Sequence, residues 1–110
     1  MRITVVFKNL ESSPEIKSYL EDKLSRLDRL LDQAATAHAV VQSEKLRRIV
    51  DIHLTVGTID VHASEENSEV HAAIDLVVDK VRKQLTKLRD KQVDRRTRAG
   101  SRNATQATVP

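Results

Sequence analysis

The stretch RIVDIHLTVGTIDVHAS, residues 48–64, decides the fold. Apolar and polar side chains alternate on both sides of Gly57, and this period of two predicts a pair of half-buried strands, 48–56 and 59–64, joined by a tight turn. The apolar positions of the pair are Val50, Ile52, Leu54, Val56, Ile59, Val61 and Ala63. We therefore expect a β-hairpin with one buried and one exposed face.

Two further strands are predicted upstream of this hairpin. Alternating apolar residues indicate a first strand over residues 2–8, and a weaker strand over 37–43 leads into a charged turn at 44–47. The last three strands follow one another directly along the chain. This succession predicts an antiparallel meander.

Two amphipathic helices separate and follow the strands. The order Ser13, Pro14, Glu15 is typical of a helix N-terminus, and the first helix is predicted to reach about Leu31. Its apolar stripe consists of Ile16, Leu20, Leu24, Leu27 and Leu31. The acidic run 64–69 is predicted to open the second helix, since acids suit the positive end of a helix dipole. The stripe of this longer helix, predicted to end near Gln92, consists of Val70, Ile74, Val77, Val78, Val81, Leu85 and Leu88.

The predicted element order is β-α-β-β-β-α, which is an α+β fold. Both helices can cover one face of a four-stranded mixed sheet if a right-handed crossover joins the first strand to the second. With 110 residues the chain suits one domain, and its core must be aliphatic because Phe7 and Tyr19 are the only aromatic residues. The other face of the sheet is left to solvent.

Charge is distributed unevenly along the chain. Residues 80–102 carry ten basic and two acidic side chains, whereas residues 1–79 carry nine basic and fourteen acidic ones. The net charge of +3 is therefore the sum of −5 for residues 1–79 and +8 for residues 80–102. Such polarity predicts that the protein binds a phosphate-rich surface in one orientation.

A helical projection sorts the basic residues of the second helix into two groups. One ridge consists of Lys80, Lys83, Lys87 and Lys91, while Arg82 and Arg89 fall on the opposite flank. Beyond Gln92 the apolar period is lost, and residues 93–110 are predicted to form a basic, disordered tail that includes Arg95 and Arg96. The sequence has no Gly-rich phosphate loop, zinc-ligand spacing or aromatic platform for bases. It therefore favours recognition of folded RNA through backbone and shape.

Composition also excludes several classes of protein. The absence of cysteine rules out disulfides, thiolate nucleophiles and cysteine-based zinc sites. No stretch approaches the roughly 18 apolar residues of a membrane span, and residues 2–8 read as a strand instead of a signal sequence. We expect a cytoplasmic protein that is not bound to membrane.

The run ASEENSEVHAAIDLVVDKVRKQLTKLRDK, residues 63–91, resembles the signature segment of the ribosome hibernation promoting factor family, formerly labelled sigma-54 modulation proteins. That family's pattern is close to acidic-Met-Tyr-Ala-Ala-Ile-Asp, then Asp-Lys-Leu, then Arg-Gln-Leu-x-Lys-x-Lys. The resemblance extends over residues 1–92, which it identifies as a ribosome-binding domain. This chain departs from the pattern at Val70 and His71, which stand where Met-Tyr is usual.

The resemblance implies a fold similar to double-stranded-RNA-binding domains and a role without catalysis or cofactor. It implies binding to rRNA of the small ribosomal subunit, in the channel for messenger and transfer RNA, and inhibition of translation during starvation or stationary phase. The implied contact positions are Lys80, Lys83, Gln84, Lys87, Arg89 and Lys91, and the charge pattern adds Arg82, Arg95 and Arg96 as predicted RNA contacts. Because the sequence stops at 110, it resembles a short form, monomeric away from the ribosome, that would need a helper such as ribosome modulation factor to pair ribosomes. Whether it promotes or prevents such pairing stays open.

Two alternatives come from other functional classes. If the hairpin loop has two residues, His53 and His62 face each other near Asp51, Asp60 and Thr55 and form a candidate metal or acid–base site, with His38 and His71 placed elsewhere. The second alternative is a protein-interaction module that modulates transcription. That role would ordinarily require an exposed apolar anchor patch.

Overall fold

The computed structural model describes the backbone of residues 1–98 and the side chains of residues 1–88. Four strands and two α-helices follow in the predicted order. The elements are β1 (Arg2–Lys8), α1 (Pro14–Ser25), a 3-10 helix (Arg26–Leu30), β2 (Ala35–Glu44), β3 (Arg47–Val56), β4 (Ile59–Asn67) and α2 (Val70–Arg98). The strands lie side by side in the order β1-β2-β3-β4, with β1 parallel to β2 and the other neighbours antiparallel. The predicted α+β fold with a mixed sheet is confirmed.

The core lies between the helices and one face of the sheet. In β3 the alternate residues Val50, Ile52, Leu54 and Val56 are at most 4% exposed, as the period of two predicts. They form one cluster with Leu20 and Leu24 of α1 and with the apolar stripe of α2. β2 supplies three alanines to this cluster, Ala35, Ala37 and Ala39, whose small side chains leave space for the larger residues of the helices.

Two tight turns set the register of the meander. Lys45 (φ 58°) and Leu46 connect β2 to β3, and Gly57 (φ +60°) and Thr58 connect β3 to β4. Positive φ at the first loop residue is typical of two-residue hairpins, whose twist then matches that of the strands. The register that results pairs His53 with both His38 and His62.

The first helix is not a single α-helix to Leu31 as the leucine spacing predicted. It ends at Ser25 and continues as a 3-10 helix to Leu30. In a 3-10 helix, residues three apart share one side, so the tighter winding aligns Leu27 and Leu30 with Leu24. Leu24 and Leu27 are buried, and Leu30 packs against the core.

The start of the second helix was also predicted wrongly. Residues 64–67 belong to β4, where Glu65, Glu66 and Asn67 pair with β3, and α2 begins only at Val70. The acidic composition is compatible with a helix start, but pairing with a neighbouring strand outweighs local preference. Arg47 stabilises the extended form through its 2.8 Å ion pair with Glu66.

The far end of α2 also differs from the prediction. The helix continues past Gln92 to Arg98, so residues 93–98 are helical and not part of an unstructured tail. Loss of the apolar period shows only where packing against the core stops, and residues 70–99 contain no Gly or Pro that would end the helix earlier. The rest of the predicted tail, residues 99–110, lies outside the described residues.

A polar clasp joins α1 to α2. The Tyr19 hydroxyl donates a 2.6 Å hydrogen bond to Asp75 Oδ1, and Lys23 Nζ lies 3.3 Å from the same oxygen. The rings of Tyr19 and His71 meet edge to face at 4.6 Å. The Tyr19 hydrogen bond, aided by Lys23, lowers the pKa of Asp75 below its ordinary value.

The buried position Leu54 and the exposed position Leu46 provide a matched test of the core. Leu54→Ala should lower the free energy of unfolding by about 2–5 kcal/mol, because Leu54 is fully buried. Leu46→Ala should change it by less than about 0.5 kcal/mol, because that side chain is 86% exposed. Urea unfolding of both variants measures the difference, and equal losses would contradict this placement of the core.

The hydrogen bond between Tyr19 and Asp75 predicts how the stability of the fold depends on pH. A carboxylate whose pKa is lowered by folding stabilises the folded state above the ordinary value of 3.8, and this contribution is lost as pH falls through the lowered pKa. Tyr19→Phe removes the main cause of the shift. The variant should therefore lose less stability than the wild type between neutral and acidic pH, as measured by urea unfolding at each pH. Identical losses would show that the hydroxyl does not act on Asp75.

Candidate nucleic-acid interface

The inner side of α2 buries its apolar stripe against the sheet, which leaves the basic residues on three outer sides. On the side of β4, Lys80 Nζ lies 2.7 Å from Glu65 Oε2 and donates to the Ser64 carbonyl oxygen at 3.3 Å. Gln84 follows one turn later and donates to the His62 carbonyl oxygen at 3.4 Å. Lys80 and Gln84 thus also attach α2 to the edge strand of the sheet.

Lys83 and Lys87 point away from the protein along the crest of α2. The Lys83 side chain is 70% exposed even though its Nζ lies 3.1 Å from Asp79 Oδ2. Lys87 is exposed and makes no ion pair with any side chain among residues 1–88. These two residues are the most accessible part of the predicted ridge.

Arg82 lies on the opposite flank of α2, where it faces α1 across a groove. The groove has a volume of about 400 Å³ and an apolar floor that includes Leu27 and Val78. Four basic side chains and two acidic ones line it, namely Lys23, Arg26, Arg29, Arg82, Asp75 and Asp79. The groove therefore carries an excess of positive charge.

The contribution of the first helix to this groove was not predicted from the sequence. Lys23, the last basic residue of α1, and Arg26 and Arg29 of the 3-10 helix recur every three residues, a spacing that keeps them on one side. Their spacing was a visible signal. Their position opposite Arg82 was not visible, because it depends on how the two helices pack.

Acidic residues of the same chain partly neutralise the predicted contact residues. Asp79 binds both Arg82, at 2.7 Å, and Lys83, and these two cations lower its pKa. Lys80 is paired with Glu65. The three cationic side chains are nevertheless each about half exposed or more, and ion pairs in water contribute only about 0–1 kcal/mol. A phosphate can therefore replace the carboxylates at small cost.

The remaining predicted contacts lie farther along the same helix. Arg89, Lys91, Arg95 and Arg96 all belong to α2 by their backbone, and their side chains lie outside the described set. All nine positions predicted to bind RNA therefore belong to one continuous helix. That they contact RNA stays a prediction.

The alternative site on the open face of the sheet is only partly assembled. His53 and His62 do face each other, with ring centroids 5.8 Å apart, and His53 Nε2 lies 2.5 Å from Asp60 Oδ1. Among the described residues, no group of three or more His, Cys, Asp or Glu side chains could hold a metal ion. His38, predicted to lie elsewhere, is in fact the cross-strand neighbour of His53.

The described part of the chain contains no helix that is both long and apolar enough to cross a membrane.

Comparison with known proteins gives consistent results. A ribosome hibernation promoting factor of Klebsiella oxytoca is 34% identical over 91 residues, which cover 83% of this chain and 96% of the relative. One from Azotobacter vinelandii is 33% identical over 95 residues, covering 86% and 89% of the two chains.

Solved structures show the same fold. The N-terminal domain of Thermus thermophilus Protein Y matches with a TM-score of 0.76 and 31% identity, over 80% of this chain and 99% of that domain. A ribosomal subunit interface protein from Coxiella burnetii matches in fold with a TM-score of 0.74 and 24% identity, over 82% and 99% of the two chains. The sequence pattern of the family described as Sigma 54 modulation protein / S30EA ribosomal protein matches residues 3–93. The chain therefore belongs to this family.

Proposed function

We propose that this protein is a ribosome hibernation factor, which binds rRNA of the small ribosomal subunit and inhibits translation during starvation or stationary phase. The observation that carries the proposal is the exposed cationic helix α2 in a chain whose relatives are named ribosome hibernation promoting factors. The protein would act without catalysis or cofactor, in the cytoplasm, where ribosomes are found.

The chemistry of the helix supports recognition of the RNA backbone. Lys83 and Lys87 can approach phosphates without leaving a buried partner, because both side chains are exposed. Binding that consists of phosphate contacts releases counterions, so its affinity falls steeply as salt rises. The groove that contains Arg82 provides a second line of positive charge beside the ridge.

In this proposal, translation is inhibited because the protein occupies the channel of the small subunit. A protein held by its helices in the channel for messenger and transfer RNA would exclude both by volume alone. The role requires tight placement and no reactive group. A partner such as ribosome modulation factor would be needed only for pairing ribosomes.

The alternative of a transcription-modulating module has less support. Among the described residues, the large exposed apolar side chains are Leu46, at the tip of the β2–β3 hairpin, and Leu76, on α2. These two belong to separate elements and form no anchor patch of the kind that protein partners usually bind.

The central test replaces the outer lysines of α2. The triple variant K83E/K87E/K91E should lose association with small ribosomal subunits in co-sedimentation, because three phosphate contacts become repulsive. The control K17E/K45E reverses two lysine charges at exposed positions outside α2 and outside the sheet, and it should keep most of its binding. Retained binding in the first variant, or equal loss in both, would contradict the proposed contact.

A second test concerns Asp79, whose carboxylate forms ion pairs with Arg82 and Lys83. Asp79→Asn releases Arg82 and Lys83 from their shared partner, so affinity for the small subunit should rise roughly two- to fivefold, equivalent to about 0.5–1 kcal/mol. Glu44→Gln, which removes the same charge at the hairpin tip, should leave affinity unchanged. Titration of labelled protein with subunits measures both, and weaker binding by the Asp79 variant would show that Asp79 orients these cations for binding.

A further inference from the structure

The sheet face opposite the helices carries an ordered band of histidines. The register of the strands places Thr4, His38, His53 and His62 in one row across all four strands. All four side chains are exposed. Three imidazoles therefore lie side by side on three neighbouring strands.

Two of these imidazoles, those of His53 and His62, lie close to a carboxylate. Asp60 accepts from Thr55 Oγ1 at 3.1 Å and contacts His53, and Asp51 Oδ1 lies 3.8 Å from His62 Nε2. His38 has no carboxylate partner among the described side chains. The hydrogen bond from His53 lowers the pKa of Asp60, which keeps this carboxylate ionised at mildly acidic pH.

The fixed charges around the band are nearly balanced. Arg2 and Lys8 of β1 contribute two positive charges, and Asp51, Asp60 and Glu66 contribute three negative ones. At the hairpin end of the sheet, Glu44 and Arg47 pair with each other at 2.7 Å. With neutral imidazoles this face has a net charge of −1, and with three protonated imidazoles it has +2.

We propose that the open face of the sheet is a second binding surface for the phosphate backbone of RNA, active when His38, His53 and His62 are protonated. Histidine is the side chain that ordinarily gains its charge between about pH 8 and pH 5. Protonated His53 and His62 would neutralise Asp60 and Asp51, while His38 would join Arg2 and Lys8 as an unopposed cation. RNA phosphates keep their charge over this range, so only the protein surface changes.

This surface is separate from the helical one. It lies on the opposite side of the sheet from α2 and shares none of the predicted contact residues. The inference therefore does not depend on the proposed function. It implies that one molecule can contact two RNA segments at acidic pH and only one at neutral pH.

The experiment measures RNA affinity at two pH values in a protein with a weakened helix. The background variant K83Q/K87Q/K91Q reduces binding by α2, and the probe is a fluorescent oligouridylate, whose bases do not titrate in this range. Affinity should be about tenfold higher near pH 5.5 than near pH 7.5. In the same background, H38Q/H53Q/H62Q should reduce this ratio to about one, whereas H71Q, on α2, should leave it unchanged.

A second variant tests the same surface without replacing histidines. D51N/D60N removes two negative charges, so it should raise affinity near pH 7.5 toward the acidic value. Circular dichroism at both pH values confirms that each variant is folded. A ratio near one in the background protein, a ratio that survives the histidine replacements, or no gain in D51N/D60N would overturn the proposal.

Discussion

The packing of two helices on one face of an aliphatic sheet is the constraint from which the other features follow. With no aromatic side chain in its fully buried core, the sheet must bury many small and branched residues together, and the two helices cover them. The apolar stripe of α2 has to face inward along the described helix, from Ile74 to Leu85. Every basic residue in that part of the helix is consequently on an outer side.

The same packing brings distant parts of the chain into one surface. α1 and α2 are held together by the clasp of Tyr19, Lys23 and Asp75, whose members are up to 56 residues apart. This contact aligns the basic side of α1 with Arg82 and creates the groove between the helices. The cationic surface is thus wider than the helix that dominates it.

Acidic residues of the same chain hold the cations of this surface in place and lower its net charge. Asp79, Glu65 and Asp75 each hold one or two cations in place, and all these pairs lie at the surface, where water weakens them. Such pairs lower the net charge and so disfavour loose binding to any polyanion. A phosphate with the right geometry can still displace them, since exposed pairs contribute little stability.

The amino-acid sequence by itself determined the type and order of the elements, because alternation and helical stripes report directly on which side chains are buried. It also determined the ridge of Lys80, Lys83 and Lys87, since residues on one helix keep fixed angular relations. The local sequence pattern predicted the wrong element boundaries where contacts with neighbouring elements compete with it. Residues 64–67 join β4 because β3 offers them hydrogen bonds. The first helix tightens after Ser25 so that Leu27 and Leu30 can pack. The position of His38 beside the predicted pair of His53 and His62, and the groove between Arg82 and α1, were decided only by the tertiary structure. Strand register and helix packing bring together residues far apart in the chain, and no local period contains that information.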